Sequence, residues 1–165
     1  RLARALFVEV FGRVFEHSSW IAEKAYAAGI NAEHDSADAL HSAMFRIVQD
    51  SPRETQIAFL KQHPDLAGKI AAAGELTAES ADEQGSAGLD RLTSDERARF
   101  TALNEAYKAR FGIPFILAVK GLTKADILAN FEERMASTPQ REFETALAQV
   151  EKITLLRMRD LLPSG

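Results

Sequence analysis

The chain has 165 residues, 46% of them hydrophobic, and its 20 Lys and Arg against 24 Asp and Glu leave a formal charge of −4. That length fits a single domain, residues 1–165, able to bury its own core, and mixed signs without a basic block argue against nucleic acid as a partner. The lack of cysteine removes disulfides, thiol nucleophiles and thiolate metal sites, while no apolar run approaches the ~18 residues of a membrane span and the start at Arg1 lacks the order of a signal peptide, so a soluble, cytoplasmic chain is expected.

Apolar residues recur at spacings of three and four with almost no β-branched alternation, which predicts helix nearly throughout. Leu6, Val10 and Val14, joined by Phe7 and Phe11, mark a first amphipathic helix, and Trp20, Ala25 and Tyr26 a second. A third runs from Ser36 through Leu40, Phe45, Ile47 and Val48. Ser51 with Glu54 three residues on, and Pro52 at the first helical position, is a well-formed capping box for a helix reaching Gln62. Thr93 with Glu96 signals another, carrying Phe100, Leu103 and Tyr107 up to Phe111, where Gly112 can act as the stop. Thr123 can cap a helix through Met135, and Thr138-Pro139 opens the last, which ends before Pro163. One longer irregular stretch is expected from Gly74 to about Leu92.

Three places put polar or turn-forming residues where a plain helical core would not want them. His63 precedes Pro64, and a residue before proline is pushed out of helical geometry, so the imidazole belongs at a junction between helices. There it can serve as a base, or simply cap the negative end of the preceding helix. Ser80 and Glu83 either open a short helix or line a loop folded over a site. In the final helix Phe143, Leu147, Val150, Thr154, Arg157 and Leu161 share one face, which sets Arg157 on the apolar stripe. Its guanidinium then needs an anionic ligand, an internal acid, or a route for the head back to water.

Competing chemistries find little in the residues. His34, Asp38 and His41 stand at i, i+4 and i+7 and could share a face as metal ligands, but a cap at Ser36 would take His34 off that face. No G-x-S-x-G elbow, P-loop or dinucleotide fingerprint is present, which leaves acid/base chemistry without a cofactor. A helical DNA-binding regulator would need a basic recognition face. A non-catalytic interaction module would instead keep His63, Glu83 and Arg157 apart and carry an exposed apolar patch.

The order His63-Pro64-Asp65-Leu66-Ala67, then Ser80-Ala81-Asp82-Glu83-Gln84 with Ala87-Gly88-Leu89, then Asn104-Glu105-Ala106-Tyr107 and Phe111-Gly112-Ile113-Pro114-Phe115-Ile116 resembles the OHCU decarboxylase family. The resemblance continues through Phe131-Glu132-Glu133-Arg134 and Glu142-Phe143 to Ile153 and Arg157, and so covers nearly the whole chain. It implies an all-α, multi-helix bundle fold, a homodimer, and no metal or organic cofactor. The implied activity converts 2-oxo-4-hydroxy-4-carboxy-5-ureidoimidazoline (OHCU) to (S)-allantoin at the end of urate oxidation. The roles it implies are His63 as catalytic acid/base and Glu83 as its acidic partner. Pro64, Ser80, Ala81, Asp82, Gln84 and Arg157 would contact the substrate, together with backbone groups of Phe115, Ile116, Leu117, Ala118 and Val119. The end Pro163-Ser164-Gly165 is not a peroxisomal address of the Ser-Lys-Leu type, so a bacterial, cytoplasmic member is expected.

Overall fold

Side-chain caps open four of the α-helices in the computed structural model, which describes residues 3–15, 18–63 and 92–162. The helices are α1 (Arg4–Phe11), α2 (Trp20–Ala28), α3 (Ala37–Gln49), α4 (Arg53–Gln62), α5 (Ser94–Phe111), α6 (Lys124–Met135) and α7 (Pro139–Leu161), with 3-10 turns at Gly12–Val14 and Ala32–His34. Among the described residues there is no strand.

Ser36 Oγ accepts the Ala39 N–H at 3.1 Å and opens α3. Thr93 and Glu96 exchange reciprocal bonds of 3.1 and 3.0 Å at the start of α5, and Thr123 and Asp126 do the same for α6. Each pair occupies amide N–H groups that the first helical turn leaves without an intrahelical acceptor. Thr138 accepts the Arg141 N–H at 3.2 Å and opens α7. Gly112 ends α5 at φ 70°, a left-handed conformation that a Cβ would strain.

Two sequence expectations fail locally. The capping box at Ser51 does not form: Pro52 is the N-cap, and the Ser51 hydroxyl donates to Ile47 O at 2.6 Å. The last carbonyls of α3 have no intrahelical donors, and they recruit what lies near, Ser51 onto Ile47 and the Gln56 amide onto Val48 and Gln49. On α1 the buried residues are Phe7 and Phe11, while Leu6 is 45% exposed. A two-turn helix has room to bury one narrow face, and the aromatic pair, with Phe7 tilted against Tyr26, removes more apolar surface from water than Leu6 and Val10 would.

The chain divides into two compact units, residues 1–63 with 151–165, and residues 64–150. In the first, Phe15, Ile21, Met44, Val48, Leu60 and Met158 are almost fully buried. In the second, Phe115 stacks on Phe131 with ring centroids 3.7 Å apart, and Tyr107 meets Phe115 edge-on at 5.1 Å. Of the anticipated face of α7, Phe143, Val150, Thr154 and Arg157 are buried, while Leu147 and Leu161 are half-buried. The irregular stretch anticipated from Gly74 to about Leu92 falls, but for Leu92, outside the described residues.

Cap geometry separates two positions that look alike in the sequence. Thr93→Ala is expected to cost about 1 kcal/mol in urea unfolding, whereas Glu54→Ala, at an exposed residue with no capping partner, should stay within about 0.5 kcal/mol of the parent.

Candidate active site

His63 closes α4. Its N–H bonds Leu60 O at 3.1 Å while its backbone, at φ −74° and ψ 124°, has left the helix, as a residue before proline should. The side chain is turned inward and only 5% exposed. Arg157, in the same unit, is 2% exposed, and its Nη1 donates to Val14 O at 3.3 Å, at the end of the Gly12–Val14 turn. The guanidinium therefore does not reach out to water. It is a buried cation with a main-chain carbonyl as one of its acceptors.

His41 lies in the same interior, 3% exposed, its ring stacked near Phe15 and Phe45. Its Nε2 lies 2.8 Å from Thr154 Oγ1. The same Thr154 hydroxyl lies 3.2 Å from Glu151 O, which ties the ring to the backbone of α7. Burial lowers the His41 pKa to about 4 against the partial opposition of the Asp38 charge, with Arg159 adding a smaller push downward. Asp38 is itself held by Arg159, whose Nε donates to Oδ1 at 2.9 Å and Nη2 to Oδ2 at 2.8 Å, and His34 Nδ1 accepts the Asn31 N–H at 3.1 Å. The three residues with metal-ligand spacing are thus each committed to a different partner.

The second unit holds a polar cluster that the sequence reading did not single out. Arg134 Nε donates to Glu142 Oε1 at 2.7 Å, Nη1 to Ile116 O at 2.6 Å and Nη2 to the Tyr107 hydroxyl at 3.2 Å. Tyr107 donates in turn to the same Glu142 oxygen at 2.7 Å. The guanidinium also lies 4.4 Å from the Phe115 ring centre. Burial pushes the Tyr107 phenol well above its ordinary value against the opposing charge of Arg134, and its hydrogen bond to the Glu142 carboxylate adds to the rise, so it remains a proton donor. The signal was available: Ile127, Phe131 and Arg134 stand at spacings of four and three, the same pattern that marked Arg157.

This cluster borders the predicted backbone segment. Residues 114–119 form neither helix nor strand, and Phe115, Ile116, Leu117, Ala118 and Val119 are all buried. The Ala118 N–H donates to Gln149 Oε1 at 2.9 Å, and Val119 O accepts the Leu122 N–H at 3.0 Å. An open cleft of about 570 Å³ flanks the other side of the cluster, lined by Glu133, Arg134, Arg141, Glu142 and Thr145 among others, and none of the predicted site residues lines it. Pro64, Ser80, Ala81, Asp82, Glu83 and Gln84 lie outside the described residues.

The sequence model for OHCU decarboxylase matches residues 1–159. The 2-oxo-4-hydroxy-4-carboxy-5-ureidoimidazoline decarboxylase of Haloferax volcanii is 41% identical over 99% of this chain and 94% of its own length. Among solved structures, an (S)-allantoin synthase superposes with a TM-score of 0.76 at 32% identity, over 99% of this chain and 52% of the other. An OHCU decarboxylase crystallised in the presence of (S)-allantoin gives 0.69 at 25% identity, over 92% and 96% of the two chains. Helical architecture and relatives together define an all-α carboxy-lyase. The chain belongs to the OHCU decarboxylase family.

Two outcomes follow from the buried polar groups. Unfolded His41 takes up a proton below about pH 6.5 that the folded protein refuses until about pH 4, so its contribution is complete above that window and is lost as pH falls through it. Between pH 7.5 and pH 5 the parent should lose about 2 kcal/mol more stability than His41→Gln, measured by urea unfolding. Arg134→Met strands the Glu142 carboxylate in the interior and should cost about 3–5 kcal/mol, read in the same assay at pH 7.5.

Proposed function

We propose that this chain decarboxylates OHCU to (S)-allantoin without a metal or organic cofactor, with His63 as acid/base and Glu83 as its acidic partner. The observation that carries the reading is the family match along residues 1–159, with an (S)-allantoin synthase among the structures of the same fold. Pro64, Ser80, Ala81, Asp82, Gln84 and Arg157 and the backbone of residues 115–119 are the proposed substrate contacts. The resemblance extends the proposal to a homodimer working in the cytoplasm.

The chemistry makes modest demands. In OHCU the carboxylate sits on a carbon that also bears a hydroxyl, next to a ring C=N bond. As the carbon–carboxylate bond breaks, its electron pair forms a C=C bond with the neighbouring ring carbon, and the C=N pair moves onto nitrogen, which takes a proton. Transfer of a proton to the ureido-bearing carbon and loss of the hydroxyl proton then leave the ring carbonyl of allantoin. One proton is consumed overall for each CO2 released. The substrate supplies its own electron sink, so the protein has to orient it, stabilise the electron-rich intermediate, and deliver the carbon-bound proton to a single face.

A buried imidazole at a helix end suits that delivery. His63 stands at the C-terminal end of its helix and is buried, where the carboxylate proposed at Glu83 would act as its acidic partner. Arg157, already inside the first unit, offers a planar set of donors to an anionic or carbonyl oxygen once the substrate enters.

Allantoin formation followed by circular dichroism, from urate with uricase and the hydrolase that opens 5-hydroxyisourate, tests the reading. The parent should give a rapid S-allantoin signal, and folded His63→Asn and Glu83→Ala variants should each be slower by about 10²–10⁴-fold, the usual worth of a positioned acid/base. Allantoin appearing no faster with the parent than without protein would sink the proposal.

A further inference from the structure

Three of the five residues at positions 115–119 are gripped by side chains of α6 and α7. Phe115 is held between the Phe131 ring at 3.7 Å and the Arg134 guanidinium at 4.4 Å. Ile116 gives its carbonyl to Arg134 Nη1, and Ala118 gives its N–H to Gln149 Oε1. Arg134 is fixed in its turn by Glu142 and Tyr107, so the grip is not one that thermal motion of a long side chain would loosen. Buried backbone outside helix and strand must find partners somewhere, and satisfying it is the ordinary reason for such bonds. Here, however, the partners come from two separate helices and fall two residues apart on one short segment, which fixes its position along the chain direction as well as its hydrogen bonding.

We propose that Gln149 and Arg134 are positioning residues that set the backbone of residues 115–119 for substrate binding, with Gln149 acting through the Ala118 N–H and Arg134 through the Ile116 carbonyl. The inference rests on the decarboxylase reading above, in which this backbone touches the substrate. Neither side chain is assigned a contact with the substrate itself. Losing Gln149 as an acceptor frees the Ala118 amide and lets the segment drift, which weakens binding in ground state and transition state together.

Gln149 is the better residue to change, because it is only half-buried and carries no charge, whereas truncating Arg134 leaves a buried carboxylate alone. Gln149→Met removes the acceptor at similar volume, Gln149→Ala removes it without a new side chain, and Gln149→Glu restores an acceptor oxygen. Each is measured in the coupled allantoin assay and by hydrogen exchange at the Ala118 amide, with parent protein and His63→Asn alongside. The expected result for Met and Ala is a KM raised about fivefold with kcat within twofold of the parent, the size of one lost hydrogen bond, and faster exchange at Ala118. Gln149→Glu should return both quantities to near the parent values.

Faster exchange with unchanged KM and kcat would reduce the grip to a stabilising role and overturn the proposal. Unchanged exchange would overturn the grip itself, and a Glu variant as impaired as Met would show that the acceptor is not what matters. In each of these cases an active parent and an inactive His63→Asn leave the decarboxylase reading standing. An inactive parent removes that reading, and the positioning role with it.

Discussion

A guanidinium taken out of water has to be surrounded by acceptors, and the second unit is organised around meeting that demand at Arg134. Glu142 neutralises the charge, and Ile116 O takes the donors that the carboxylate cannot reach. The Tyr107 hydroxyl completes the set by accepting from the cation while donating to the anion. Because those partners come from α5, the 114–119 segment, α6 and α7, one ion pair specifies how four pieces of chain meet. A hydrophobic replacement of the whole set could match it in stability, so the case for the pair is geometric: it dictates direction where Leu or Ile side chains would dictate only proximity.

The first unit meets a related demand differently. His41 is buried as a neutral ring, with burial outweighing the pull of Asp38, and it shares a hydrogen bond with Thr154. Asp38 turns instead to Arg159 at the surface, where the pair is exposed and worth little to the fold. Two histidines in one unit thus take opposite places. His41 sits mid-helix among aromatic rings, a setting that removes it from proton chemistry near neutral pH. His63 sits at a helix terminus, where its extended backbone precedes a proline that prevents the helix from continuing.

Much of this architecture was legible because its signals are local. Thr93 with Glu96, Thr123 with Asp126, Ser36 and Gly112 act within four residues of themselves, and each does what its spacing implies. Ser51 shows the limit. Its spacing to Glu54 is right, but the exposed carbonyls of the preceding helix compete for the hydroxyl and win, and that competition depends on the tight turn between α3 and α4. Leu6 fails for a similar reason, since which side of a two-turn helix is buried depends on Tyr26 of the next one. Arg157 could be placed on a buried face from periodicity alone, and Arg134 could have been by the same rule. That Arg134 would choose Glu142, eight residues away across a helix break, could not. For the candidate site, His63 leaves helical geometry and Arg157 is buried on its apolar stripe, as their positions in the sequence imply, while the stretch holding Glu83 lies outside the described residues.

The two kinds of buried polar group suit a reaction whose electron sink belongs to the substrate. A protein that must itself accept electrons keeps a cofactor or a metal in reach; one that only orients and protonates needs fixed donors and a proton source near neutral pH. Fixed donors are easiest to provide from backbone that is neither helix nor strand, since only there are N–H and C=O groups not already spent on the ladder. Such backbone is also the least self-supporting part of any fold. Its precision has to be imposed from outside, and at residues 115–119 it is imposed by side chains whose own positions are set by a buried ion pair and a tyrosine. Where that backbone meets the substrate as proposed, the residues that decide how well it is held include ones that never touch it.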